Sequence, residues 1–455
     1  MVSGGVAAGH AATADAGWEI LEEGGSAADV AVAACLASCA AETLMTGLLG
    51  GGHAIYLDAR DGSVRNLDCF VAVPTGSGGE LLRLEVPFGA ELVHYAVGPA
   101  SCAVPGVPAG LDALWRAAGR TPWPRLVEPA LRIARSGVVL GPAHAACLAM
   151  LEPVMTMNRG AELHAPAGAL LGVGDTLVQP GLVAALELLA EEGAASVYRG
   201  SIAEALLAVE GVTVTRDDLA AYEARWYEPV HVGYAGLSVL TRGGLSGLPE
   251  TLARLPRLAV HSPTERVGAF VDALEPGGPE GHTTNLSVVD SEGSACVVTT
   301  SLGLGSGDFL PGLDLHLNSM LGEVDLVREP LVPGERMQSM MAPTLALDPD
   351  GLALAAGAAG GTRLRTALVG VLAGILDEGL EPAPAVERPR FHPAGAVVNA
   401  EPGVDEDGLE LLERRGWSVR RWPERHHYFG GVSVVGHGGA AGDPRRDGAA
   451  RSVSV

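Results

Sequence analysis

The sequence predicts a mixed α/β protein in which antiparallel sheet lies between helical layers. Two observations lead there. Several segments place apolar residues at helical spacing between capping signals, and three pairs of short, alternating, β-rich runs flank tight-turn residues. Strands joined by short turns pair antiparallel, and sheets with an apolar face need helices to cover them.

Taken in order, Ser26 is read as the cap of a helix through Asp29–Glu42, followed by the small-residue loop GLLGGG at Gly47–Gly52. His53–Asp58 (HAIYLD) alternates as a strand does, Asp61-Gly62 turns, and Ser63–Cys69 is its hairpin partner. Leu111–Ala118 and Pro124–Ser136 read as helices, as does Leu182–Glu192 with Gly193 just past its end. His261–His282 is rich in Pro, Gly and Glu with weak periodicity, and is expected to be an exposed linker. Directly behind it, Thr284–Asp290 (TNLSVVD) and Ser294–Thr300 (SACVVTT) form a second hairpin around SEG. Thr344–Leu347 and Gly351–Ala356 form a third around DPDG, before a glycine turn at Gly357–Gly361 and a helix over about 362–379.

Composition narrows the function classes. The chain has 455 residues, 47% of them hydrophobic and 18% charged, enough to bury a large core. A formal net charge of −24 repels nucleic-acid phosphates and anionic lipid, so neither is expected as a partner. All 30 basic residues are arginine, which excludes a P-loop lysine or a Schiff-base lysine. The opening MVSGGVAAGH lacks a charged n-region and an apolar core, so no signal peptide is expected. The most apolar stretch, Val30–Ala41, follows Asp29 and suits a buried helix better than a membrane span. Six cysteines without a CxxC pair fit reduced, buried thiols of a cytoplasmic protein and argue against a metal site. No cofactor is expected.

The chemistry centres on Thr283. A free amino-terminal threonine carries nucleophile and base in one residue: its hydroxyl attacks a carbonyl, and its α-amine, with an ordinary pKa of about 7.7–8.0, takes the proton. An internal threonine gains that amine only if the bond after His282 is cut, which its own hydroxyl can begin by attacking the His282 carbonyl. A TT pair before a strand is, by itself, equally an ordinary strand start, since threonine favours strands.

The surroundings of Thr283 resemble a family. Gly281–Thr300 (GHTTNLSVVDSEGSACVVTT) is similar to the signature of the γ-glutamyltranspeptidases, in which the first Thr of a TTHxSVVDxxGNAVxxT run is the nucleophile. Ordered matches run along the chain: Ala16–Ala34, TGLLGGG at Thr46–Gly52, VPGVPAG at Val104–Gly110, LVEPALRIARSG at Leu126–Gly137 and DDLAAYEARWYEPV at Asp217–Val230. After the nucleophile come APT at Ala342–Thr344, GAAGGTR at Gly357–Arg363, PRFH at Pro389–His392 and GDPRRDGAA at Gly442–Ala450. The resemblance implies a four-layer αββα sandwich of the N-terminal nucleophile hydrolase type. It also implies self-cleavage into a large subunit, 1–282, ending in the linker at 261–282, and a small subunit, 283–455, that stay together. It assigns Thr283 as nucleophile and α-amine base, Ser301 as the hydroxyl beside it, and Gly360 and Gly361 as the oxyanion hole. The glycine pair has a plain reading as a turn.

The implied substrate residues are Phe70, Asn318, Met320, Glu323, Ser339 and Met340, and several depart from the family pattern. Phe70 stands where an arginine of an FREMAP-like segment grips the glutamyl α-carboxylate, and a phenylalanine cannot make that bidentate contact. Its loss costs about 2–4 kcal/mol of binding. The serine pair of SSMSPT is Ser339-Met340, an asparagine becomes Gly303, a glutamine becomes Met320, and Glu323 replaces an aspartate facing the substrate amine. Asn318 fits the first asparagine of LLNN. Arg363 or Arg365 is a substitute for the lost arginine, or else a solvated residue at the start of a helix. His53 is read as a core or rim residue, His426-His427 as loop structure, and Asp308 as a loop carboxylate near the site.

The expected function is therefore an autoprocessing hydrolase or transferase that forms an acyl intermediate on Thr283 and passes it to water or an amine, with a donor other than glutathione. Alternatives are a C–C bond-cleaving homologue of 4-alkylproline antibiotic pathways, a small-amide amidohydrolase, and, in another class, a catalytically silent binding protein.

Overall fold

The computed structural model describes residues 4–88, 91–274, 283–323, 326–327, 330–361 and 363–453. His282, half of the expected cleavage bond, lies outside them, with the segment 275–281 before it.

Two antiparallel sheets form the centre. The seven-stranded sheet runs Ala449–Ser452, Gly5–Ala8, Thr284–Val289, Ala295–Ser301, Gly51–Asp58, Ser63–Cys69 and Arg225–Tyr227. The six-stranded sheet runs Gly439–Gly442, Gly431–Gly436, Gly351–Ala359, Thr344–Asp348, Leu237–Thr241 and Val230–Tyr234. Because side chains alternate along a strand, each sheet presents two apolar faces. The inner faces meet in a layer built from Ala7, Ile55, Leu57, Leu240, Val289, Val297, Leu345 and Val435. The outer face of the first sheet carries Leu286, Val288, Cys296 and Val298 under the helices Ala11–Glu22, Ala27–Ala41 and Trp123–Ser136. The outer face of the second packs Val239, Leu354, Val432 and Val434 against Leu248–Arg254 and Arg363–Leu376. The result is the expected αββα sandwich.

The helix Ala27–Ala41 shows why the sequence folds this way. Every one of its residues is buried, so its small alanines let it lie close on the sheet while larger neighbours cover its other side. Its start is set by a capping box: the Ser26 hydroxyl accepts from the Asp29 N–H at 3.2 Å, and the Asp29 carboxylate accepts from the Ser26 N–H at 3.0 Å. The Asp29 carboxylate also accepts from the Arg120 and Thr121 N–H groups, tying the next helical layer to the cap.

The hairpins of the sequence analysis are present with small shifts of boundary. One expectation is corrected. Pro263–Ala273 is a helix within the segment read as a linker. Ser262 and Glu265 make a second capping box, and Val267, Phe270 and Val271 are buried. Pro263 occupies the first turn, where its missing N–H costs nothing, so it starts this helix instead of breaking it. The strand Gly5–Ala8 and its C-terminal neighbour were not anticipated.

Candidate active site

Thr283 stands at the entrance to the strand Thr284–Val289, in the middle of the first sheet, and is 4% exposed. That strand pairs with Ala295–Ser301 so that Thr284 faces Thr300. One further step in the register sets Thr283 opposite Ser301, and the two residues line the same cavity. The strand is held from below. The Thr284 hydroxyl donates to the buried Glu42 carboxylate, which also accepts from the Thr13 hydroxyl at 2.7 Å. Asn285 Nδ2 donates to the Val298 carbonyl at 3.0 Å and to the Thr299 hydroxyl at 2.9 Å. Gly357 makes room for it, since a Cβ there would lie 2.1 Å from Asn285 Nδ2.

A small pocket lies on either side of Thr283, each with room for about 20 Å³, roughly one water molecule. One side gathers Thr283, Ser301, Gly361, Glu323 and Ser339 with Phe70, Met320 and Met340. Eight of the residues named from the sequence thus converge, although Phe70 and Met340 are 270 positions apart. Gly303 permits the convergence. It has φ +71°, and a Cβ on it would sit 2.2 Å from Glu323 Oε1. Its N–H donates to the Ser301 hydroxyl at 2.9 Å. Gly360 (φ +127°) and Gly361 (φ +59°) adopt backbone conformations that side-chain-bearing residues rarely reach. Gly361 lines the cavity; Gly360 lies behind it, pressed against Gly430.

The wall of this side is apolar. Phe70, Met320, Leu326, Met337 and Met341 belong to one buried cluster, with Met340 packed on it. Phe70 is 1% exposed and stacks on His53, ring centroids 5.6 Å apart. Burial, aided by the Arg242 and Arg336 charges, holds the His53 pKa well below its ordinary value, so the ring behind Phe70 is neutral. Arg242, absent from the sequence reading, braces the wall by donating to the Ser339 and Met341 carbonyls at 2.7 and 3.3 Å.

Asn318 is corrected. It does not line the cavity. Its Nδ2 donates to the Leu49 and Ala103 carbonyls, both at 2.8 Å, and its Oδ1 accepts from the Ala103 and Met320 N–H groups at 3.0 and 3.2 Å. With both ends of the amide spent on backbone, it clips three loops together and has nothing left for a substrate. Nor does either candidate arginine reach the cavity. Arg363 is 1% exposed, donates from Nε to the Tyr428 carbonyl at 3.1 Å and lies over the Tyr428 ring, so the solvated reading fails for it as well. Arg365 lies against Gly247. Asp308 accepts from Asn158 at 2.8 Å, outside the cavity. The His426 and His427 rings lie in tilted contact, centroids 4.1 Å apart, and among the described residues no group of three His, Cys, Asp or Glu side chains could hold a metal ion.

The γ-glutamyltranspeptidase family model matches residues 13–256 and 260–453. The chain belongs to that family. It is an enzyme of the N-terminal nucleophile hydrolase and transferase type. Among its relatives, the acylase ACY 1 proenzyme of Pseudomonas sp. (strain V22) is 26% identical, the match covering 94% of this chain and 88% of the relative. The glutathione hydrolase proenzyme of Escherichia coli (strain K12) is also 26% identical, over 91% of this chain and 85% of the relative. The crystal structure of cephalosporin acylase from Bacillus halodurans superposes with a TM-score of 0.85 at 23% identity, covering all of this chain and 96% of the other, a likeness of fold. The six cysteines of this chain are free and buried, and among the described residues no helix is long and apolar enough to cross a membrane.

Proposed function

We propose that this family member cleaves itself between His282 and Thr283 and then acts as an acylase or acyltransferase through Thr283, on a donor whose acyl part is apolar at the position where glutathione carries its α-carboxylate. The observation that carries the reading is the single cavity in which Thr283, Ser301 and Gly361 meet a wall of Phe70 and methionines. The names of the acylase relatives are in keeping with it.

In the reaction, the Thr283 hydroxyl oxygen attacks the donor carbonyl while its proton passes to the free α-amine. The negative charge that develops on the carbonyl oxygen is met by N–H groups of the Gly360–Gly361 turn, a contribution of about 10²–10³ in rate for one such donor. The amine portion of the donor leaves with the proton from the α-ammonium, and the acyl group remains as an ester on Thr283. Water or an amine then attacks the ester, giving its proton to the same α-amine; the bond from the acyl carbon to Thr283 Oγ1 breaks, and the α-ammonium returns the proton to that oxygen as the product leaves. Ser301, across the strand pair, orients the hydroxyl. Interleaving of the strands supports a cut whose two products would stay together: Thr284–Val289 lies beside Gly5–Ala8, Ala295–Ser301 beside Gly51–Asp58, and Thr344–Asp348 beside Leu237–Thr241.

Purified protein should run as two fragments, the smaller beginning Thr-Thr-Asn, while Thr283→Ala stays whole. Butyryl-p-nitroanilide should acylate Thr283 with a kcat/KM at least tenfold above that of γ-glutamyl-p-nitroanilide. An intact chain with the behaviour of Thr283→Ala would sink the nucleophile, and preferred turnover of the γ-glutamyl anilide would sink the altered pocket.

A further inference from the structure

On the other side of Thr283 from the methionine wall lies a buried cation, Arg446, that makes no ion pair among the described residues. Arg446 is 7% exposed, and its guanidinium lines this side together with Thr283 and Asn285. Among the described residues its side-chain hydrogen bonds are long ones, Nη1 to Met45 Sδ at 3.6 Å and Nη2 to the His427 carbonyl at 3.5 Å, and its Nε has no partner there. The nearby Glu42 and Asp443 carboxylates favour its charge through space but form no ion pair with it, their oxygens being turned to other groups. Glu42 accepts from Thr13 and Thr284, and Asp443 from Arg390, Arg445 and the Val432 N–H. Cys147, on the same side, is held as a neutral thiol by burial, its pKa pushed up to about 11. His144 gives its Nδ1 to Asp447. An arginine does not shed its proton in a protein, so this charge is present and desolvated without an ion pair.

We infer that Arg446 is a specificity residue that receives a carboxylate of the substrate. The inference rests on the Thr283 reading for the meaning of the site, because the charge matters only if the acyl carbonyl is bound at Thr283. A carbonyl held there has the apolar wall on one flank and Arg446 on the other, so the two halves of an amide donor would meet different chemistry. The guanidinium fork suits a carboxylate bidentately. Its position also explains neighbouring glycines. A Cβ on Gly431 would fall 2.8 Å from Arg446 Cγ, and one on Gly360 3.3 Å from Nη2, so the charge is packed directly behind the proposed oxyanion turn. The carboxylate can belong to the acyl part or to the amine part of the donor.

Three small amides separate these sources: N-butyrylglycine carries the carboxylate on the amine part, N-ethylsuccinamate carries it on the acyl part, and N-butyrylglycinamide is neutral. Their dissociation constants are measured by calorimetry at one ionic strength, on the wild-type protein and on Arg446→Gln and Arg446→Lys. At least one carboxylate should bind wild type tenfold or more tightly than the neutral amide. Arg446→Gln should abolish that preference, Arg446→Lys should keep part of it, and the tighter acid tells which part of the donor carries the charge. No preference in wild type, or an undiminished one in Arg446→Gln, overturns the assignment. Should Arg446→Gln fail to fold, the wild-type preference and its reduction in Arg446→Lys decide alone. A gel of the same samples keeps the two readings apart. An uncut chain that prefers carboxylates refutes the nucleophile and leaves Arg446, whereas a cut chain without the preference does the reverse.

Discussion

Replacing Asn318 by alanine should cost stability before it costs chemistry. The side chain makes four hydrogen bonds to buried backbone, two given at 2.8 Å and two accepted at 3.0 and 3.2 Å. Alanine leaves the Leu49 and Ala103 carbonyls and the Ala103 and Met320 N–H groups short of a partner. A buried polar group left unsatisfied costs about 1–3 kcal/mol, and water entering the vacated space offsets part of that, so a net loss of about 3–5 kcal/mol is expected. Asn318→Asp should do no better, because a carboxylate would face two carbonyl oxygens where an NH₂ now donates. Urea unfolding followed by circular dichroism reads the loss, best in a Thr283→Ala background where the chain stays in one piece. If Asn318→Ala unfolds within about 1 kcal/mol of its parent and yet binds substrate poorly, the side chain is a substrate contact and the structural argument fails.

Two further outcomes follow from the same structure. Gly303→Ala should lose most of its activity and about 1–3 kcal/mol of stability, since φ +71° strains any side chain and the new Cβ would meet Glu323 Oε1 at 2.2 Å; normal kcat/KM and melting temperature would contradict this. Acid should destabilise the fold through buried histidines. Burial holds His316 and His392 at about 3, against about 6.5 when unfolded, so the unfolded chain binds more protons between those values. Stability is then complete above about pH 6.5 and falls with decreasing pH at up to about 1.4 kcal/mol per unit for each histidine, and unfolding curves of His316→Gln between pH 7 and 5 should be flatter than those of wild type.

Much of the fold was legible because its signals are local. Ser26 with Asp29 announces a helix start, Asp61-Gly62 announces a hairpin, and the alternation in TNLSVVD announces a strand with two covered faces. Those interactions lie within a few residues of one another, so their pattern survives in one dimension. The motif around Thr283 was legible for a similar reason: Thr283, its strand and the hairpin that strand begins are contiguous. The helix Pro263–Ala273 was missed through a competing local signal, since Pro, Gly and Glu nearby suggested a linker while the capping box pointed the other way.

What the sequence by itself determined was several of the helices, three hairpins and which residues are chemically able to act. The tertiary structure alone decided which of them meet. It brought Phe70 and Met340 to Thr283, turned Asn318 from the substrate to the backbone, and buried Arg363 under Tyr428. It also buried Arg446 beside Thr283 without an ion pair among the described residues. An arginine reads the same in a sequence whether or not a carboxylate lies opposite it. Only packing of distant segments settles that, because the cost of a buried charge depends on everything that has displaced water around it.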